Sequence, residues 1–171
     1  MALTRDPLAH PEELIRRVYA YCAYRLGNEA DAEDATSDVF ERAVRYRDRY
    51  DPQKGSPIAW LMGIARRSVE DVRAARPLVT DVESEEVAPH RDSALRLDLA
   101  SAVAELDQRD RELIALRYGA DLKASEIAEL LEMKTNAVEV ALHRALGRLR
   151  KELERKGIGS ASSVFHPGLA P

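Results

Sequence analysis

The chain has 171 residues, 45% of them apolar but only 5% aromatic, and carries a formal net charge of −4. That length holds one ordinary domain or two small ones, and no stretch is apolar for long enough to insert in a bilayer. The single cysteine, Cys22, excludes an internal disulfide and fits a reducing, cytoplasmic setting, where it serves as a small core hydrophobe.

The amino terminus lacks the apolar core of a secretory signal. His10, His90, His143 and His166 have no partners at ligand spacing, so neither a metal site nor a cofactor is expected. The charge is unevenly spread. Residues 1–80 and 99–171 are each balanced, while residues 81–98 hold two basic against six acidic side chains. Overall acidity therefore does not argue against a nucleic-acid partner; only local patches count.

Nothing alternates with the period of a strand, and the composition predicts an all-α chain. Pro11 suits the first turn of a helix in which Leu14, Val18, Cys22 and Leu26 recur every four residues, and Gly27 stops it. Asn28 can cap a second helix, from about Glu29 to Arg47, with Ala32, Thr36, Val39, Phe40, Ala43 and Val44 facing inward. Its acidic start and basic end both suit the helix dipole.

The turn "RYDPQKGS" follows, and Ser56 with Pro57 opens a third helix. There Ile58, Leu61, Ala65, Val69 and Val72 pack inward, and Pro77 marks its end. Residues 77–94 lack an apolar period and read as a flexible acidic linker between two cores. Beyond it, Leu95, Leu99 and Val103 mark one helix, Asp107 caps a second that stops at Gly119, and "ASEIAELLE" and "TNAVEVALHRALGRLRKEL" form two more. In the last of these Val138, Leu142, Ala145, Leu149 and Leu153 make one inner stripe. The tail 157–171 is expected to be peripheral or disordered.

Two helices with a short break, the second long and basic toward its end, fit a helix-turn-helix whose second helix enters the major groove. The same pattern also fits a packed helical hairpin with solvated arginines.

Two longer stretches carry a resemblance. "EIAELLEMKTNAVEVALHRALGRLRKEL" resembles region 4 of bacterial RNA polymerase sigma factors of the extracytoplasmic-function (ECF) group. "NEADAEDATSDVFERAVRYRDRYDPQKGSPIAWLMGIARRSVEDVR" resembles region 2 of the same group, in the order and spacing of the family. The likeness covers roughly residues 12–155. It implies region 2 over 11–76, a linker over 77–94, and region 4 over 95–156, both regions being small helical bundles.

By this resemblance Asp34, Asp38, Phe40 and Arg42 would bind core RNA polymerase, on the clamp helices of its large subunit, with region 4 reaching the flap. The alternative is that Phe40 is simply a core residue and the acids only serve the helix dipole. Lys54, Gly55, Ser56, Trp60, Arg66, Arg67 and Arg73 would contact the opened minus-ten promoter element, where an unstacked base is captured and basic side chains track phosphates. Trp60 fits a packing anchor as well. Lys134, Thr135, Asn136, Glu139, His143, Arg144 and Arg148 would contact the minus-thirty-five element. The implied partners are core polymerase, promoter DNA and an anti-sigma factor. No enzymatic step is expected.

The chain departs from the family where Ser37 replaces a usual glutamine, and where Glu132 replaces the glycine of the turn, which would loosen or re-angle it. Glu139 and Ala141 stand where polar or basic residues are usual; glutamate can accept from cytosine but is repelled by phosphates. These departures keep open an alternative, a sigma-like decoy that occupies an anti-sigma factor without touching promoters. A free-standing helix-turn-helix regulator would leave residues 12–75 without a role.

Overall fold

The computed structural model describes residues 6–76 and 91–158, with side chains from residue 98 onward in the second stretch. Every regular element among the described residues is helical. Residues 77–90 of the expected linker and 159–171 of the expected tail lie outside the described residues.

Helix α1 (Pro11–Leu26) begins with proline in its first turn and ends at Gly27, in the left-handed conformation at φ 68°, whose N–H bonds back to the Ala23 carbonyl. Asn28 caps α2 (Glu29–Arg45) by accepting from the Asp31 N–H at 3.1 Å. After a short 3-10 turn, Ser56 caps α3 (Pro57–Ala75) by accepting from the Ala59 N–H at 3.3 Å. Each boundary follows the capping residue read from the sequence.

In the second stretch, α4 (Arg91–Ala104) reaches back into the segment expected to be linker. Asp107 caps α5 (Gln108–Ile114), which widens into a π turn over Ala115–Gly119. Then come α6 (Ala124–Leu131) and the long α7 (Thr135–Arg155).

The α6–α7 turn is made without glycine. Glu132 sits in the left-handed region at φ 55°, ψ 44°, where glycine is the usual occupant, and the Met133 N–H closes onto the Ala128 carbonyl at 2.8 Å. The substitution is absorbed as local backbone strain.

The two halves pack on one another, a point that the sequence reading of two small helical units on a linker left open. Val18, Tyr21, Leu61 and Met62 of the N-terminal half lie in one continuous apolar cluster with Leu113, Leu116, Leu122 and Ile127 of the C-terminal half. Helix α1 makes the join, touching α2 and α3 on one flank and the π turn on the other. A smaller cluster of Val103, Leu106, Ile114, Leu149 and Leu153 ties α4 and α5 to α7.

Periodicity identified the apolar positions but carries no signal for which helix each will meet. Burying one such leucine or valine contributes about 1.5–3 kcal/mol, so the shared cluster is a substantial adhesive. Cys22 lies at its centre, its thiol pushed up to about 11 by burial, as expected of an inert core residue.

Replacing Glu132 with glycine relieves the left-handed strain at some entropic cost. The expected outcome is a gain of up to about 1 kcal/mol, read as a higher denaturant midpoint at unchanged slope.

Candidate nucleic-acid interface

The α6–α7 pair has its inner surface set by Val138, Leu142, Ala145 and Leu149, all buried. That stripe fixes which side of α7 faces away. Lys134, Thr135, Asn136, Ala137, Glu139, Val140, His143 and Arg144 are all exposed around the first three turns. Unpaired N–H groups and the positive end of the helix dipole sit at the same end, an arrangement that accepts phosphate.

Two residues fall outside this surface. Ala141 is half-buried against the core, so its small side chain serves packing rather than readout. Arg148 lies farther along the helix and donates to the buried carboxylate of Asp110 at 2.6 Å. That bond holds the guanidinium above its ordinary pKa. Arg148 thus pairs with an internal charge one turn beyond the Lys134–Arg144 surface, while its own side chain stays 55% exposed.

Sequence reasoning passed over Val140. Its side chain is 43% exposed between Asn136 and Arg144, four residues from each. An apolar side chain displayed there matches the thymine methyl group in the major groove. The signal was available: Val140 falls outside the Val138–Leu142–Ala145 stripe.

In the N-terminal half, Tyr50 donates from its hydroxyl to the Gly55 carbonyl at 3.0 Å and tilts against Trp60, ring centroids 5.5 Å apart. Trp60, half-buried on the core, therefore supports the 51–56 loop from below. Lys54 projects from that loop, with Asp51 the nearest acid at 3.9 Å. Arg73 donates to Glu70 at 3.0 Å.

Arg42 bonds Asp71 at 2.8 Å and Asp38 one turn earlier, and the Asp71 bond foremost holds its pKa above the usual value. Phe40 is half-buried on the core, while Asp34 and Arg67 are exposed. A cleft of roughly 650 Å³ gathers Arg42, Arg66, Arg67, Asp71 and Glu112, so residues assigned to polymerase and to DNA share one surface.

Arg66 is not open. Its Nε donates to Glu112 at 2.7 Å and a terminal nitrogen donates to the Leu130 carbonyl at 3.3 Å, both in the C-terminal half. Ser56 likewise donates to Glu126 at 3.1 Å. Glu112 and Glu126 had no assigned role in the sequence, because their partners lie 46 and 70 residues away.

An all-helical arrangement with a helix-turn-helix at one end and a loop-bearing helical bundle at the other is the architecture expected of a promoter-recognition protein. Its N-terminal half matches the family model for Sigma-70 region 2 over residues 12–76, and its C-terminal half that for Sigma-70, region 4 over 96–149. The ECF RNA polymerase sigma factor ShbA of Streptomyces griseus is 35% identical, the match covering 89% of this chain and 88% of that one. SigD of Mycobacterium tuberculosis is 32% identical, covering 90% and 80%.

Among solved structures, CnrH in complex with the cytosolic domain of CnrY is 26% identical, with a TM-score of 0.62 over 85% of this chain and 83% of that one. The sigma factor RpoE in complex with the anti-sigma factor NepR, from Bartonella quintana, shares the fold with a TM-score of 0.60 at 18% identity, covering 82% and 92%. The chain belongs to the ECF sigma factors of bacterial RNA polymerase. It directs the polymerase to promoters in transcription initiation, within a family of non-enzymatic regulators. The decoy reading finds no support in these relatives.

Arg144 and Arg148 are expected to separate cleanly. Arg144→Ala weakens binding to the upstream promoter element about tenfold at unchanged melting temperature. Arg148→Ala strands the Asp110 carboxylate, lowering the melting temperature and leaving the affinity of the folded protein unchanged. Calorimetry and fluorescence anisotropy read the two effects.

Proposed function

We propose that residues 11–76 hold core polymerase and the minus-ten element, and that residues 95–156 hold the minus-thirty-five element through the first three turns of α7. The observation that carries this is the open face of α7: Lys134, Thr135, Asn136, Glu139, Val140, His143 and Arg144 are exposed while Val138, Leu142, Ala145 and Leu149 on the other side are buried. Asn136 is suited to adenine, Glu139 to the amino group of cytosine, Val140 to a thymine methyl, and Lys134 and Arg144 to phosphates or guanine. His143 lies on the flank of the same surface.

Asp34, Asp38, Phe40 and Arg42 form the polymerase-binding face of α2, docking on the clamp helices, with region 4 engaging the flap. Lys54 and Arg67 are the first basic contacts for the melted strand, Gly55 and Ser56 shape its loop over Trp60, and Arg66 and Arg73 continue along it. The chain acts by binding alone, in the cytoplasm where the polymerase works. An anti-sigma factor is its regulatory partner, by analogy with the two solved complexes, whose sigma factors are held by CnrY and by NepR.

Transcription in vitro tests the reading: bacterial core polymerase and this protein on host genomic DNA, with transcript starts mapped. Starts that share two upstream elements and depend on the protein are expected; starts identical to those of core alone would refute it.

The upstream element is also expected to carry a thymine opposite Val140. Deoxyuridine at that position should weaken wild-type binding about fourfold, the value of one buried methyl group. Val140→Ala should bind the two bases equally.

A further inference from the structure

Three guanidiniums meet where α1, α3 and α5 approach one another, and Glu70 is the one carboxylate bonded to any of them among the described residues. Arg25 of α1 is almost wholly buried, its side chain 3% exposed. One of its terminal nitrogens donates to the neutral amide oxygen of Gln108 at 2.8 Å, the other to Oε1 of Glu70 at 2.8 Å. Arg73 donates to that same Oε1 at 3.0 Å and to Oε2 at 3.2 Å. Arg111 is bonded to no acid: a terminal nitrogen donates to the carbonyls of Ala104 and, at 3.2 Å, of Leu106.

Charge and donors are both in surplus here. Burial, followed by the fields of Arg25 and Arg73, lowers the pKa of Arg111, and Glu105 offsets them only in part. Nearby Arg76 is already taken by Asp31 and the Leu26 carbonyl. Arg25 and Arg111 each keep a buried Nε–H with no acceptor among the described residues. Buried donors are normally matched, because an unmet one costs more than a made bond contributes. Capping the end of α4 accounts for one nitrogen of Arg111. It does not account for two guanidiniums crowded on a single carboxylate whose side chain is 58% exposed.

The cationic side of this cluster is fixed, whereas its acid is not. Arg17 donates to the carbonyls of Ala120 at 2.7 Å and Asp121 at 3.1 Å, pinning α1 to the π turn. A Cβ at Gly119 would fall 2.9 Å from the Tyr21 nitrogen, so the two backbones touch there. Arg25 is thereby held in place, and donors set in advance bind an anion at little ordering cost. Glu70 reaches solvent by rotation of its own side chain.

We propose that Arg25, Arg73 and Arg111 form a seat for a phosphate group, which the Glu70 carboxylate occupies until a phosphate displaces it. Two phosphate oxygens reproduce the contacts that Glu70 makes with Arg25 and Arg73. A third oxygen, which a carboxylate lacks, is left for Arg111, and the second negative charge meets the surplus of guanidiniums. Free inorganic phosphate and backbone phosphate share this chemistry. Only the second source rests on the assignment of Arg73 to the melted strand.

Calorimetric titration of the full chain tests the seat, with inorganic phosphate at an ionic strength held constant by sodium chloride. Saturable binding is expected. Glu70→Gln keeps an oxygen for Arg25 but removes the competing charge, and should tighten phosphate about tenfold; Arg73→Ala should weaken it about tenfold. Asp71→Asn removes the same charge one residue away, and should change the affinity less than about twofold. Unchanged circular dichroism shows that each variant is folded.

A second titration adds single-stranded dT20 without terminal phosphates. Loss of inorganic phosphate binding in its presence assigns the seat to the DNA backbone, and undisturbed binding assigns it to a free phosphate. The seat is overturned if phosphate fails to saturate both wild type and Glu70→Gln, or if Asp71→Asn gains as much as Glu70→Gln. Failure of promoter-specific transcription with phosphate binding intact counts against the proposed function alone.

Discussion

The close approach of α1 to the π turn is the constraint on which the rest of the arrangement depends. With Tyr21 and Val18 fully buried against Leu116 and Leu113, α1 is core to both halves at once. Backbone passes so near backbone at Gly119 that neither helix can shift without losing the Arg17 and Arg25 bonds beside it. The orientation of α5, and through it of α6 and α7, follows from that single crossing. Coupling between the halves is therefore steric first and electrostatic second. Arg66–Glu112 is partly solvated and screened by salt, whereas the apolar contact beneath it is not.

Much of the fold was legible because the signals were local. Caps at Asn28, Ser56 and Asp107, the proline at α1's first turn and the stop at Gly27 each act within one turn of the chain, and each gave its boundary. The inner stripe of α7 was equally clear, since a 3.6-residue period is a property of one helix. What sequence could not supply was the meeting of helices far apart in the chain. Glu112 and Glu126 carried no assignment, and Gly119 read as a simple helix stop, until Tyr21 is brought against the π turn.

The candidate site shows the same division. The face of α7 around Asn136, Glu139 and Arg144 was assigned through the family resemblance, while periodicity supplied only the buried stripe, outside which Val140 falls. The pairing of Arg148 was not legible, because its partner Asp110 is a buried residue of a different helix, α5. Ala141, unusual beside the family pattern, has a packing role. Glu132 takes the left-handed conformation that glycine would usually supply, held there by flanking bonds such as the Met133 N–H on the Ala128 carbonyl.

The shared use of α1 also orders the events of folding. Its partners in α2 and α3 follow closely in the chain, whereas the π turn lies about a hundred residues on, as the Arg17 to Ala120 separation of 103 shows. Loop-closure entropy makes the nearer contacts form first, so the three-helix platform is complete before the later helices settle on it. During synthesis the platform leaves the ribosome earlier still. Between those two moments the apolar flank of α1 around Tyr21 is uncovered, and a nascent sigma factor offers there a surface that its finished form no longer displays.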